Sequence, residues 1–302
     1  MNEAEYYRRV SQIFRPEQLR TKKTIVVGVG SGGSRVASEL GRLGVSLTLV
    51  DLPDEMLEEH NIVRHVLGYD ALGKPKTTEL ARYIRNLNPK TVIECVELDV
   101  TTNQAGFNRL VKRVHPDLLL ACTDNQASKH AINEVALRLG IPVVGAGVYD
   151  GGIAGEVYIT RAGAACYGCI ATELQLKDSG PKKSLNIDYN NIDLAETRST
   201  SALNLDISQI ALIHARVALN LLLSGEVDLL GLPPEANLIV FANRRVPGHF
   251  ERPLHGEFFH IKKHQNCLVC GLPAQNVNAE ADRILASLPF QPGPAQPPPA
   301  TI

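Results

Sequence analysis

The chain is predicted to be an α/β protein: a Rossmann-like, doubly wound, mainly parallel sheet that also carries a structural zinc site. Three observations lead there. Short apolar runs alternate with helix-period segments through the first half of the chain, which is how a parallel sheet covered by helices reads. The first apolar run, Thr24-Ile25-Val26-Val27, closes on the glycine-rich turn Gly28-Val29-Gly30-Ser31-Gly32-Gly33. Four cysteines form two C-x-x-C pairs, Cys166/Cys169 and Cys267/Cys270, far apart in the chain.

Taken in order, residues 1–22 form an N-terminal arm that lacks the apolar core of a signal peptide. Residues 23–170 form the nucleotide-binding part. Its strand-like runs fall at about 24–29, 46–50, 91–97, 117–122 and 142–146, and its helical patterns at about 33–43, 74–87, 103–114 and 126–139. Leu80, Ile84 and Leu87 give the second helix its apolar stripe. Glu156-Val157-Tyr158-Ile159 reads as a further strand. Residues 171–203 are polar, with no sustained apolar period, and read as a long mobile connection. Residues 204–275 carry a strongly apolar helix at about 205–223, a late strand at 236–241 and the second cysteine pair. The segment 276–302 is a tail, Pro-rich and disordered towards its end.

Composition narrows the function. Of 302 residues 44% are hydrophobic and 21% charged, enough for one large core with a small appended unit. A net charge of −1 gives no electrostatic case for nucleic acid or an anionic membrane as partner. No uninterrupted apolar stretch approaches the roughly 20 residues that span a bilayer. The expectation is a cytoplasmic protein with reduced thiols.

The glycine turn sits between a buried strand and a helix, where its glycines have separate tasks. Gly28 turns the chain, Gly30 lets a phosphate approach the backbone, and Gly33 lets helix and strand pack closely; Gly32 belongs to the same cradle. The helix that follows offers unpaired N–H groups to an anion. The next apolar run, Ser46–Val50, ends in Asp51, where a carboxylate would meet a ribose hydroxyl. The turn specifies a nucleotide without saying which one; by itself it also fits an NAD-dependent dehydrogenase.

Residues further on favour a triphosphate. Arg64 can neutralise phosphates bidentately, and Lys76 can reach them as a point charge. Asp124, after the strand-like run ending at Cys122, lies at the C-terminal edge of the sheet and can hold Mg²⁺. Each has a plainer use: surface charge for Arg64 and Lys76, a helix cap for Asp51 or for Asp124 with Asn125. The histidines lack metal-ligand spacing, and Cys95 and Cys122 read as small buried hydrophobes in strands. The paired cysteines place four thiolates at the spacing a tetrahedral Zn²⁺ needs, which a reducing compartment favours over the plainer reading of two redox-active or redox-inert turns. A full set of four leaves no open position, so that metal is structural.

The ordered set of Gly28–Gly33, Asp51, Asn61–Arg64, Gly73-Lys74-Pro75-Lys76, Cys122-Thr123-Asp124-Asn125 and the two C-x-x-C turns resembles the ThiF/MoeB-like adenylyltransferases, relatives of ubiquitin-activating enzymes, over about residues 5–270. The resemblance implies Mg-ATP-dependent adenylation of the C-terminal glycine carboxylate of a ubiquitin-like or sulfur-carrier protein. It implies Asp51 on the ribose, Asn61, Arg64 and Lys76 on the phosphates, and Asp124 on the metal. Tyr6-Tyr7-Arg8-Arg9-Val10 resembles the family's N-terminal segment, with Glu5 and Arg9 in place of its usual Arg and Gln. It implies that Arg8 reaches the phosphates of a neighbouring subunit in a homodimer. The family's crossover loop corresponds to 171–203. Some relatives carry a nucleophilic cysteine in or beyond it, but this sequence has none between Cys169 and Cys267. The acyl-adenylate is therefore expected to pass to a conjugating or sulfur-transfer partner. Less favoured are an oxyester on Thr200 or Ser201, or adenylation of a short peptide or small acid.

Overall fold

The computed structural model describes residues 1–178 and 201–271. Two short helices, α1 (Glu3–Tyr7) and α2 (Pro16–Arg20), precede strand β1 (Lys23–Val27). Helix and strand then alternate: α3 (Ser31–Arg42), β2 (Ser46–Asp51), the single turn α4 (Glu59–Ile62), α5 (Lys76–Leu87), β3 (Ile93–Glu97), α6 (Gln104–Val114), β4 (Leu118–Ala121), α7 (Gln126–Leu139) and β5 (Val143–Val148). The chain continues through β6 (Ala154–Thr160), α8 (Tyr167–Asp178), α9 (Asn204–Leu222), β7 (Leu238–Ala242) and β8 (His255–Phe259).

These strands form one eight-stranded sheet in the order β3-β2-β1-β4-β5-β6-β7-β8. β1 to β5 are parallel, and β6, β7 and β8 each pair antiparallel. The strand order reverses between β1 and β4, and ligands of open α/β sheets bind in the crevice at the carboxyl ends of such neighbours.

Burial on both faces explains why the central strands read as continuous apolar runs. Val26, Leu49, Leu120 and Val144 face Val36 and Leu40 of α3, Leu80 and Ile84 of α5 and Ile210 and Val217 of α9. Ile25, Val27, Leu119 and Tyr158 face Phe107, Ile132, Val135 and Cys169 from the other side. Helix α9 is long and apolar enough by composition to cross a membrane, yet it packs on α3 and β5 as a core element.

The structure corrects the sequence reading in three places. Residues 171–178, assigned above to the polar connection, continue α8; the rest of that segment to residue 200 and the tail beyond 271 lie outside the described residues. Strand β8 pairs with β7 although it carries no apolar alternation: Phe258 is exposed on this edge strand. Cys95 is exposed on the opposite edge strand, β3, rather than buried.

Candidate active site

The glycine turn leaves β1 at the switch point and enters α3. Gly28 has φ of +86°, a conformation costly for any side chain, and an added Cβ would lie 3.0 Å from the Cys122 carbonyl. A Cβ on Gly33 would fall 2.0 Å from the Gly28 oxygen and 2.9 Å from Cys122 Cβ, so the close packing of α3 on β1 and β4 requires glycine there. Gly30 is different: nothing lies within 4 Å of its absent Cβ. It is also the N-cap of α3 and makes no side-chain cap, so the first N–H groups of the helix face an open space able to take an anion.

Two side chains hold Val29 in the middle of this turn. Asp51 Oδ2 accepts its N–H at 2.9 Å, while Oδ1 accepts the Leu52 N–H at 2.9 Å. Burial pushes the Asp51 carboxyl up, and these two N–H groups oppose that shift. On the other side, His65 Nε2 lies 2.8 Å from the Val29 carbonyl oxygen, and Leu67 N–H donates to Nδ1 at 3.1 Å. An Nδ1 that accepts fixes the neutral tautomer with hydrogen on Nε2. Burial accordingly holds the His65 pKa down at about 4. Nothing in the spacing of His65 marks it in the sequence; only the fold brings it behind the turn.

Lys76 starts α5 and is buried, its ammonium 2.6 Å from Glu55 Oε1 and close enough to influence the Asp51 carboxyl. Asn61 Oδ1 accepts the Glu58 N–H at 3.0 Å within a capping box for α4, which leaves its amide end as the donor for a ligand. Arg64 follows α4, is half-buried and immediately precedes His65 in the chain.

Asp124 lies just beyond β4 and is exposed. The cap of α7 is Asn125, whose Oδ1 accepts the Ser128 N–H at 2.8 Å, so Asp124 is not the capping residue. The Thr123 hydroxyl beside it is buried without a hydrogen-bond partner. The fold thus brings Gly28, Gly30, Gly32, Gly33, Asp51, Lys76 and Asp124 to the β1/β4 edge, while Asn61 and Arg64 lie on the short α4 segment that leads into His65.

Arg8 is not among them. It pairs with Glu5 at 3.3 Å, and the neighbouring Tyr6 hydroxyl donates to the carbonyls of Arg42 and Leu87, the last residues of α3 and α5. This puts Arg8 at the opposite edge of the sheet. Ser201 is exposed, and its N–H donates to Asp150 Oδ1 at 3.2 Å after β5; Thr200 lies outside the described residues.

The four paired cysteines converge. Their sulfurs all lie within 4.8 Å of one another, with Cys166–Cys169 at 4.0 Å, Cys166–Cys267 at 3.7 Å and Cys169–Cys270 at 3.5 Å. Tetrahedral zinc with bonds of about 2.3 Å needs sulfurs about 3.8 Å apart. The set fits. His264 adds support, its N–H 3.4 Å from Cys169 Sγ and its ring on Glu173 at 2.9 Å.

Comparison with known proteins agrees with this architecture. The model of the ThiF family matches residues 8–269. The chain is 31% identical over 180 residues to the adenylyltransferase and sulfurtransferase UBA4 of Yarrowia lipolytica, an alignment covering 56% of this chain and 43% of that protein. It is 29% identical over 157 residues to the SAMP-activating enzyme E1 of Haloferax volcanii, covering 52% and 56% respectively. With the ubiquitin-like modifier-activating enzyme 5 of Dictyostelium discoideum it shares 31% over 164 residues, covering 51% and 42%. The chain thus spans about half the length of the curated relatives it matches. Among solved structures, E. coli MccB with AMPCPP and MccA superposes with a TM-score of 0.66 at 18% identity, covering 89% of this chain and 75% of that one, a likeness of fold.

Proposed function

The chain belongs to the ThiF family, and from that premise we propose that it is an adenylyltransferase activating the C-terminal glycine carboxylate of a ubiquitin-like or sulfur-carrier protein. A carboxylate oxygen attacks the α-phosphorus of ATP, an O–P bond forms, and the bond to pyrophosphate breaks. The nucleophile is already ionised, so no general base is needed; catalysis falls to groups that hold charge on the phosphates. The observation that carries the reading is the convergence at one sheet edge of an uncapped, open glycine turn, the buried Lys76 and the exposed Asp124. The names of the matched relatives, an adenylyltransferase and two activating enzymes, support it.

In this reading Asp51 takes the ribose, Asn61, Arg64 and Lys76 the phosphates, and the α3 N-terminus an anionic oxygen. Asp124 would hold Mg²⁺, which neutralises phosphate charge when bound. Cys166, Cys169, Cys267 and Cys270 would hold a structural Zn²⁺ with no open coordination position for the reaction. The enzyme works as a cytoplasmic homodimer in which Arg8 serves the partner's site. The acyl-adenylate passes to a separate conjugating or sulfur-transfer partner.

The test is ATP–pyrophosphate exchange against carriers ending in glycine, with tail-truncated controls. Arg64→Ala or Asp124→Ala should lower exchange by a few powers of ten, each tenfold being about 1.4 kcal/mol, and leave a folded dimer. Wild-type exchange in either variant would sink the assignment; exchange with a short peptide or small acid alone would replace the carrier.

A further inference from the structure

Lys129 is a buried cation without a bonded counterpart. It lies on α7, only 4% exposed, and among the described residues no hydrogen bond or ion pair reaches its ammonium. Its surroundings are defined. The Nζ lies 5.9 Å above the Tyr167 ring and feels the charges of Glu156 and Asp124. Glu156, on β6, is 7% exposed and accepts the Tyr149 hydroxyl at 2.8 Å. Both groups border Gly147 of β5: a Cβ there would lie 3.1 Å from Glu156 Oε1 and 3.3 Å from Lys129 Nζ. A donor and an acceptor therefore flank one glycine without joining each other.

Such an arrangement is costly unless a ligand completes it. Burial drives the Lys129 pKa down and the Glu156 pKa up, the signature of two charges that water solvates poorly. Truncating either would be a loss, but so is leaving both half-satisfied. The position is also informative. Ala121, the last residue of β4, pairs with Gly145, so Gly147 stands level with the loop that carries Thr123 and Asp124, one strand over. The Thr123 hydroxyl in that loop is itself an orphan.

A peptide group supplies what each side chain lacks: its carbonyl takes a proton donor and its N–H an acceptor. We propose that Lys129 and Glu156 grip the last peptide group of the incoming glycine tail, Lys129 donating to its carbonyl oxygen and Glu156 accepting its N–H, so that the terminal carboxylate stands beside Asp124. A glycine tail suits the site because no side chain must be accommodated above Gly147. The inference rests on the adenylation reading and assigns two residues to its acceptor.

The probe is a synthetic peptide ending in Gly-Gly with a free carboxylate, titrated calorimetrically into full-length protein holding a non-hydrolysable ATP analogue. Lys129→Met and Glu156→Gln should each weaken peptide binding about tenfold or more, the range of one lost charged hydrogen bond. Lys129→Arg should restore it, and analogue affinity should be the same in all four proteins. A wild type that binds no peptide, or a Lys129→Met variant that binds it normally, overturns the inference. So does an unchanged KM for a glycine-ending carrier in pyrophosphate exchange by Lys129→Met or Glu156→Gln, an outcome that leaves adenylation standing. Peptide binding that depends on Lys129, in a wild type that exchanges no pyrophosphate with any carrier, would instead sink adenylation and keep the clamp.

Discussion

The ring nitrogen Nε2 of His65 lies 2.8 Å from the carbonyl oxygen of Val29, so a neutral histidine braces the middle of the glycine turn from behind. The brace is pH-dependent. The His65 pKa falls from an ordinary 6.5 to about 4 because burial disfavours the cation. The folded state therefore binds fewer protons than the unfolded state between these values. Stability from this group is complete above pH 6.5 and is lost as pH falls towards 4, by about 3 kcal/mol at about 1.4 kcal/mol per unit. His214, bonded to the Val144 carbonyl at 3.1 Å and held at about 4 by burial, follows the same course. A Tm-versus-pH series should show the decline over this window. His65→Gln should remove about half of it, His214 supplying the rest, and weaken ATP binding about tenfold; an unchanged slope would mean His65 is not the titrating brace.

Two glycines three residues apart should answer to alanine in opposite ways. A methyl on Gly33 meets the Gly28 oxygen at 2.0 Å and cannot be seated without moving backbone. Gly33→Ala should cost about 2 kcal/mol or more and lower Tm by about 5 °C. Gly30 has φ of −68°, open to any residue, with empty space ahead of it. Gly30→Ala should leave Tm of the nucleotide-free protein unchanged and weaken ATP binding about tenfold, because its methyl stands where a phosphate approaches. Calorimetric titration beside thermal melts separates the two, and equal effects would refute the division of labour.

The parallel half of the sheet and the glycine turn are legible because strands buried on both faces and a G-x-G-x-x-G spacing leave one-dimensional traces. Cys166/Cys169 and Cys267/Cys270 are legible for the same reason: two local spacings suffice, and the fold only has to bring them together. His65 is not, since its role depends on the backbone carbonyl of Val29, 36 positions away. Lys129 reads as one more polar helix residue until Gly147 and Glu156 of other strands surround it. Helix α8 escapes notice because it shows no apolar stripe, its first turn being tied by Cys166 and Cys169 to Cys267 and Cys270. Strand β8 escapes because its ladder with β7, not its side chains, defines it.

The cysteine cluster predicts metal dependence of stability. It joins the start of α8 to the turn at 267–271 across a gap of 101 residues, and four sulfurs this close repel one another as thiolates unless a cation sits among them. Purified protein should contain about one zinc per chain. Strong chelation or Cys169→Ser should lower Tm, while nucleotide affinity changes by less than about threefold because no cysteine of the cluster is assigned to the nucleotide. Absence of zinc, together with loss of four titratable thiols on denaturation without reductant, would replace the metal by disulfides.

Arg8 offers the sharpest test of assembly. It stands by the C-terminal ends of α3 and α5, whereas the glycine turn meets the N-terminal end of α3, a helix of 12 residues and so about 18 Å long. No arginine side chain covers that distance, so within one chain Arg8 cannot touch the phosphates; if it contributes, it does so in a partner. Arg8→Ala and Asp124→Ala should then each be nearly inactive as homodimers. Mixed and re-equilibrated in equal amounts, half the dimers carry one lesion in each chain. In those, one site combines both defects and the other has neither, so the mixture should recover about a quarter of wild-type exchange. Arg8→Ala with full activity would remove Arg8 from the chemistry. An inactive Arg8→Ala homodimer whose mixture stays inactive would mean that the arginine serves folding of the arm rather than the neighbouring site.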